Sequence, residues 1–382
     1  MTTRGLVRSW LQAGLDAVDP EDLTKQALTG REGPATVIAI GKAAVGMCRG
    51  AAAALGSIDG LCVSNHVSPV PIGIDLIIGD HPVPGPASFE AGRRALESAP
   101  DADLALISGG GSALCESAID GVDREFVSRV HRALIDGGAP IEDVNLVRSH
   151  LSAIKSGGLG PLPTYILSDV AGAPPGVVSS GPTIAMPHRP GLAVELMRRF
   201  GVDPPQVVEE AMHRGPTGYE RSDIVEVIGD GRTAAAAVAA AVISQTRPAR
   251  IHDRWLDGPV NSAVDRLLSE PARGVMVATG ETTIGVSGSG RGGRNTHAAL
   301  LAATVIAETG SVFATLATDG IDGRSGAAGA IVDGGTILRG GDPSRAIETF
   351  DSATYLRATG DLIETGPTGT NVGDLWLIWS QE

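Results

Sequence analysis

Polar and apolar positions along the chain repeat one unit: a run of three to five apolar residues that ends in a polar turn, usually glycine-bearing. Thr36–Ile40 runs into Gly41-Lys42, Leu104–Ile107 into Ser108-Gly109-Gly110-Gly111-Ser112, and Tyr165–Leu167 into Ser168-Asp169. Further on, Ile224–Ile228 runs into Gly229-Asp230-Gly231, Val275–Ala278 into Thr279-Gly280-Glu281, and Val312–Leu316 into Ala317-Thr318-Asp319-Gly320. Short apolar runs closed by turns predict strands buried on both faces, and the helical patterns between them predict crossover helices. Ala43–Leu55 and the alanine-rich Thr233–Gln245 are two such helices. The fold class expected is α/β, two domains with mainly parallel sheets flanked by helices. Ligands of open parallel sheets bind outside the carboxyl ends of the strands, so all six turns are expected on the ligand-binding edge.

Outside this unit, Val7, Trp10, Leu11, Leu15 and Val18 fall on one helical face, which predicts a surface helix packed on the body rather than a signal peptide. Residues 184–222 predict two short surface helices, around Val194–Phe200 and Pro205–Met212. Residues 246–273, with Pro248, Pro259 and Pro271, read as an interdomain junction. The expected division is therefore 1–245, a junction at 246–273, and 274–382.

Composition narrows the partners. The chain has 44 acidic and 30 basic side chains, a formal charge of −14, and no Lys/Arg-rich run, which argues against a nucleic-acid or anionic-membrane partner. No apolar stretch approaches the ~18 residues a membrane span needs. Cys48, Cys62 and Cys115 show no paired spacing, which suits a reducing, cytoplasmic setting and no zinc site. Small molecules are the expected ligands.

Two loops invite an anion. Ser108–Ser112 offers consecutive backbone N–H groups of small residues, and Ser287–Asn295 reads SGSGRGGRN. Gly288, Gly290 and Gly293 match G-x-G-x-x-G, but the next acidic strand end, Asp319, comes late for a dinucleotide site and arginines crowd the turn. Gly41-Lys42 is followed by Ala43, with no hydroxyl for a Walker A loop. Cations sit in polar turns at Lys42, Arg148, Lys155, Arg291, Arg294 and Arg324, and carboxylates at Asp169, Glu281, Asp319 and Asp322. Acids beside anion loops are what metal-assisted phosphoryl transfer requires. Neither a G-x-S-x-G elbow nor H-E-x-x-H occurs, and His66, His81, His150 and His297 are uninformative by spacing.

Taken together, the motifs resemble one family. GKAAVGM (41–47), GDHPVPGPAS (79–88), LISGGGSAL (106–114), VRSHLSAIKSGGL (147–159) and LSDVAGAPPGVVSSGPT (167–183) look like the N-terminal domain of the type II glycerate kinases. TGETTIGVSGSGRGGRN (279–295), ATDGIDGRSGAAGAIVD (317–333) and TGPTGTNVGD (365–374) are similar to its C-terminal MOFRL domain. The resemblance implies an ATP- and Mg²⁺-dependent kinase acting on glycerate, usually at the 2-hydroxyl, with its site in the cleft between two α/β domains. Some relatives bear the name hydroxypyruvate reductase, which makes an NAD(P)-dependent reductase the alternative. Matching motif positions place the family's functional lysine on Lys42, its aspartate on Asp169, its glutamate on Glu281 and its arginine on Arg294. The chain departs from the family pattern at His297, at Ser149 and in Ser-Gly-Gly after Lys155, which leaves room for a related hydroxy acid such as a four-carbon aldonate as acceptor.

The assignment expected from residues and resemblance is as follows. Ser108, Gly109, Gly110, Gly111 and Ser112, with Gly292, Gly293 and Asn295 of the second loop, hold phosphate and carboxylate oxygens by backbone N–H groups. Lys42 and Arg294 face solvent over the transferring phosphoryl group, so that removing either stops turnover without unfolding. Arg148 or Lys155 takes the acceptor's carboxylate, Asp169 orients or deprotonates its hydroxyl, and Glu281 with Asp319 or Asp322 holds Mg²⁺, an exchange of roles between Asp169 and Glu281 being equally consistent with the sequence. The two sets of loops lie on different domains, which predicts a hinged cleft. The partners are a hydroxy acid and a nucleotide, with a homodimer as the candidate assembly.

Overall fold

Six strands organise the first half of the chain: β1 (Ala35–Ile40), β2 (Ile58–Ser64), β3 (Ile74–Ile78), β4 (Leu104–Ser108), β5 (Thr164–Leu167) and β6 (Val225–Gly229). The structure, a computed structural model, describes residues 2–170, 172–214, 222–270, 273–285 and 288–380. The strand order is β3-β2-β1-β4-β5-β6, and β1 pairs in parallel with both β2 and β4, so that Ile40 lies opposite Val63 and Ile107. The central strands are covered on both faces: Ile38, Ile40, Leu61, Val63, Ala105 and Ile107 share one buried core cluster, and Val37, Ala39, Cys62 and Leu106 on the opposite face are buried as well, whereas the edge strands β3 and β6 are only partly buried. Strand order reverses between β1 and β4. In such a sheet this is the switch point, where the outgoing turns diverge and leave a crevice.

The second sheet comprises β7 (Ala249–Ile251), β8 (Gly274–Gly280), β9 (Val312–Ala317), β10 (Gly329–Asp333), β11 (Leu362–Ile363) and β12 (Asp374–Ser380), in the order β11-β10-β9-β12-β8-β7. Parallel pairs predominate over the two sheets taken together, as expected, but this sheet is the exception. Only β7–β8 is parallel, while β8–β12, β12–β9, β9–β10 and β10–β11 are antiparallel. Two causes are local. No helix lies between β9 and β10, and a connection that short returns the chain antiparallel. The last strand, β12, then inserts between β8 and β9, which run in the same direction. Its first residue, Asp374, therefore stands opposite both Gly280 and Ala317, the last residues of those strands.

Contacts divide the chain into two compact units, one of Pro20–Ser168 with Gly172–Ile228, the other of Met1–Asp19, Asp169–Ala171 and Gly229–Glu382. The expected boundaries at 245 and 273 do not match. The helix Thr3–Asp16 does bury Val7, Trp10, Leu11 and Leu15 as its pattern predicts, but it packs on the helix Gly231–Ser244 of the second unit, where Trp10 meets Trp379 at 5.1 Å between ring centroids. The expected junction is folded structure too. Pro248 precedes β7, Pro259 caps the helix Val260–Ser269, and Val260, Val264 and Leu267 join the core of the second unit; Pro271 lies outside the described residues. Pro248 and Pro259 thus mark the starts of elements rather than a junction between domains. The surface helices expected in 184–222 are present as Pro190–Arg199 and Gln206–His213. Among the described residues no helix is long and apolar enough to cross a membrane.

Gly41, directly after β1, adopts φ +130°, and a Cβ placed on it would come within 2.3 Å of both the carbonyl and hydroxyl oxygens of Ser108. Gly41→Ala is expected to cost roughly 1–3 kcal/mol for the backbone alone, with the overlap added. The readout is a thermal midpoint several degrees lower; an unchanged midpoint would show that the β1 and β4 turns do not approach as described.

Candidate functional site

In the β1–β6 unit the switch point carries the Lys42 turn. The Lys42 amide donates to the Gly109 carbonyl at 2.9 Å, and the Ala43 amide donates to Ser108 Oγ at 3.0 Å. Gly110 sits at φ +85°, and a Cβ there would lie 3.0 Å from Lys42 Cγ, so the lysine stem runs over the glycine turn. The structure thus brings Lys42 and Ser108–Ser112 together. The two serine hydroxyls serve as framework. Ser108 is fully buried and accepts from Ser179 Oγ at 2.6 Å through its carbonyl, while Ser112 Oγ and Ser180 Oγ are 2.8 Å apart. Ser179 and Ser180 hold φ of 52° and 60°, left-handed conformations that cost non-glycine residues free energy and persist only where surroundings enforce them. Ser180 Oγ also donates to Asn145 Oδ1 at 2.9 Å, fastening the helix Ile141–Leu151 to this turn.

One helical turn beyond Asn145 stands Arg148, only 7% exposed. Its Nε is buried without a partner, and among the described residues no hydrogen bond or ion pair reaches its guanidinium. Burial pushes its pKa down to about 10, against the pull of the Glu116 carboxylate, so it remains charged at neutral pH. Lys155, by contrast, is only 2% exposed and its ammonium is bonded to Glu116, itself fully buried. This corrects the expectation that Lys155 is available to a substrate. His131 lies 3.7 Å from the same carboxylate, and burial, then Arg148 and Lys155, hold it well below its usual pKa and therefore neutral. The cluster holds two cations, one carboxylate and a neutral imidazole. One positive charge is left uncompensated.

The β7–β12 unit presents the opposite balance. Arg294 opens the helix Arg294–Val305 and grips Asp374 with two bonds, Nε–Oδ2 at 2.6 Å and Nη2–Oδ1 at 3.0 Å, while Nη1 reaches Glu281 at 3.0 Å. Burial alone would lower the arginine pKa, but Asp374, then Glu281 and Asp322, outweigh it and keep the guanidinium charged. Asp374 is 1% exposed, so Arg294 is a buried counter-ion as much as a solvent-facing group.

Asp322 accepts from the Asn295 amide at 2.9 Å and from the Thr296 amide and hydroxyl, both at 2.8 Å. It caps the helix that Arg294 begins. A Cβ at Gly293 would fall 2.2 Å from Asp322 Oδ1, which accounts for the glycine. Two expectations are corrected here. Asp322 spends both oxygens on the Asn295 and Thr296 amides and the Thr296 hydroxyl, which argues against its expected role as a metal ligand, and the amides of Gly293 and Asn295 are already satisfied, the former by Thr296 Oγ1 at 2.9 Å. Burial raises Asp322 to about 6 in spite of its three bonds. The Asn295 side chain is buried and accepts from Trp376 Nε1 at 2.9 Å, so it belongs to the core. Gly292 uses its carbonyl to accept from the Arg324 amide at 3.0 Å, and Ser287 lies outside the described residues. His297, one of the departures from the family pattern, is 3% exposed and stacked on Phe350 at 5.2 Å between ring centroids.

Among the described residues no three His, Cys, Asp or Glu side chains converge as a metal cage. The acids left at this edge are Glu281, exposed beyond β8, and Asp319, half-buried beyond β9. The ends of those strands flank β12 and so stand two strand spacings apart, roughly 10 Å. Mg²⁺ needs only one or two carboxylates when phosphate oxygens complete its shell, so either of these acids alone could supply a ligand. Asp169 belongs to the same unit, with Asn371 Nδ2 donating to its Oδ2 at 3.4 Å. Asn371 and Asp374 both lie in TGTNVGD, where the sequence showed a motif but no partner for either. Glu116, Asn145, Ser179 and Ser180 were likewise missed, because nothing in their spacing marks them.

Residues 6–214 match the family described as Domain of unknown function (DUF4147), and residues 274–374 match the MOFRL family. The D-glycerate 2-kinase of Thermotoga maritima is 31% identical over 399 residues, spanning 96% of this chain and 95% of that one. An Agrobacterium vitis protein bearing the name "Putative hydroxypyruvate reductase" is 34% identical over 417 residues, 99% and 94% of the two chains. The crystal structure of glycerate kinase from Thermotoga maritima is similar with a TM-score of 0.86 at 31% identity, over 99% of both chains.

Because Arg294 neutralises buried Asp374, Arg294→Ala is expected to destabilise the protein by roughly 3–5 kcal/mol, contrary to the expectation of an intact fold. Denaturant unfolding of Arg294→Ala beside Arg294→Ala/Asp374→Leu measures this: the double variant should recover most of the loss, and equal stability of wild type and single variant would refute the pairing.

Proposed function

This chain belongs to the glycerate 2-kinase family, and from that premise we propose that it transfers the terminal phosphoryl group of ATP to a hydroxyl of glycerate, the 2-hydroxyl that its relatives' names specify. The observation that carries the proposal is Arg148. A charged guanidinium, nearly buried and unpaired, on a helix fastened to the Lys42 turn, is suited to a small carboxylate. Guanidinium and carboxylate pair through two parallel bonds, and a dry setting strengthens them. The surplus positive charge of its cluster is cancelled when a monocarboxylate binds.

In this reading Lys42 and the amides of Gly110 and Gly111 receive phosphoryl oxygens, since phosphoryl transfer needs charge neutralised and groups held in line rather than covalent help. Asp374 and Glu281 take three of the five N–H donors of Arg294, and the other two remain for phosphate oxygen. Asp169, steadied by Asn371, accepts the proton of the acceptor hydroxyl. Glu281 or Asp319 would hold Mg²⁺, which when bound neutralises charge on the donor's phosphates. The three free, buried thiols are in keeping with a cytoplasmic setting.

The reductase reading has less support. Its dinucleotide fingerprint would be Gly288, Gly290 and Gly293, with the pyrophosphate on the N-terminus of the helix that follows. That N-terminus is taken by the Asp322 carboxylate, which would repel a phosphate.

Two measurements test the proposal. ATP or ADP with Mg²⁺ should raise the thermal midpoint, whereas NADH or NADPH should not; the reverse result favours the reductase. Arg148→Met should raise KM for glycerate about 10- to 100-fold, as expected for a lost charged hydrogen-bonding partner, and leave KM for ATP unchanged. Its stability should equal or exceed wild type, because the uncompensated charge is gone. An unchanged KM for glycerate would remove Arg148 from the site.

A further inference from the structure

A second concentration of positive charge lies apart from the residues given roles above. Arg291, Arg324 and Arg357 line one cavity of about 210 Å³ in the β7–β12 unit, together with Ser325, Gly326, Ala353 and Thr354. Its walls are held by backbone bonds. The Arg291 amide donates to Asp351 Oδ1 at 2.8 Å, the Ala353 amide to the Arg291 carbonyl at 2.8 Å, and the Arg324 amide to the Gly292 carbonyl at 3.0 Å. The Thr354 hydroxyl donates to the same Asp351 oxygen at 2.7 Å.

What sets the cavity apart is that three arginines share one concave surface. Some arginines of this chain pair with carboxylates, as Arg4, Arg93, Arg198, Arg294 and Arg339 do, while others, such as Arg129 and Arg345, form no ion pair among the described residues. Arg357 pairs with Glu364 at 2.5 Å, but the guanidiniums of Arg291 and Arg324 meet no carboxylate or hydrogen-bond acceptor among the described residues. The three arginines less Glu364 and Asp351 leave about one positive charge on one concave surface, which an anion would neutralise. A phosphate monoester carries about −1.5 to −2 at neutral pH and offers three acceptor oxygens to planar guanidinium donors. The volume falls below the 300–1,000 Å³ usual for sites that enclose a drug-sized ligand, so a small ester fits where a whole nucleotide would not.

We propose that this three-arginine cavity is a binding site for the phosphate group of a small phosphate monoester, separate from the residues assigned to phosphoryl transfer. Arg291 lies three positions before Arg294, and Arg324 two after the helix-capping Asp322, so an occupant would bear on the segment that holds Arg294. The proposal does not depend on the kinase reading, since its readout is binding.

The test is isothermal titration of the full chain with inorganic phosphate and, separately, with 2-phosphoglycerate, in wild type, Arg324→Gln, Arg291→Gln and Lys42→Met. One component of binding is expected to weaken about tenfold or more in either arginine variant, the loss of one charge-assisted contact, and to persist in Lys42→Met, beside any component at the proposed transfer site, which Lys42→Met removes and the arginine variants leave. Unshifted thermal midpoints of the variants establish that they fold. Tighter binding of 2-phosphoglycerate than of phosphate identifies an ester site, and equal binding a site for free phosphate. Wild-type titrations without heat up to about 10 mM, a range that reaches the weakest specific affinities, would overturn the proposal. So would titrations in which no component of binding weakens in either arginine variant, or in which Lys42→Met abolishes all of it.

Discussion

A carboxylate shut inside the second sheet sets the terms for everything near it. Asp374 begins β12, the strand that enters between β8 and β9, and is 1% exposed. An unpaired carboxylate there would cost several kcal/mol. Arg294 meets it with two bonds and, in doing so, orients Glu281 at the end of β8. Arg294 is placed by the helix it begins, and that helix starts where it does because Asp322 caps it. Strand insertion, counter-ion, cap and exposed glutamate are therefore one linked arrangement. A change to any member is felt as stability before it is felt as chemistry.

The first sheet follows the inverse rule. Glu116 is shared by Lys155, with Arg148 and His131 close by, and the carboxylate cannot neutralise both cations. An isolated charge surplus in low dielectric is unfavourable in the absence of ligand and favourable once an anion arrives. It is the sort of local cost that a binding site retains and the rest of the fold offsets. The left-handed Ser179 and Ser180 belong to the same account, since they join the Lys42 turn to the helix that carries Arg148.

Carboxylates at strand ends illustrate how alike residues diverge. Glu281, Asp319, Asp322 and Asp374 all stand at the edge where β8 and β9 end and β12 begins, yet one is exposed, one half-buried, one a helix cap and one a buried counter-ion. Their differences come from what each strand end packs against rather than from residue type. The same holds for the arginines: Arg294 makes three bonds to two carboxylates, while the guanidinium of Arg291, three residues earlier, meets none among the described residues.

The sequence by itself determined the strands β1, β4, β5, β6, β8 and β9, the face of the first helix, the α/β class, and the Lys42 and Gly110 turns, because short apolar runs closed by polar turns are local signals, readable without knowing which strand pairs with which. Through its motifs it also determined the family. It did not reveal β12, whose end lies at the opposite edge with no glycine turn after it, nor the antiparallel pairing that follows from that insertion. Only tertiary structure decided that Asp322 caps a helix, that Lys155 is spent on Glu116, that Asp374 claims Arg294, and that Arg148 is left unpaired. Each of these depends on which charge lies within a few ångströms in a dry interior, and residues 26 to 80 positions apart in the chain acquire that proximity only by folding.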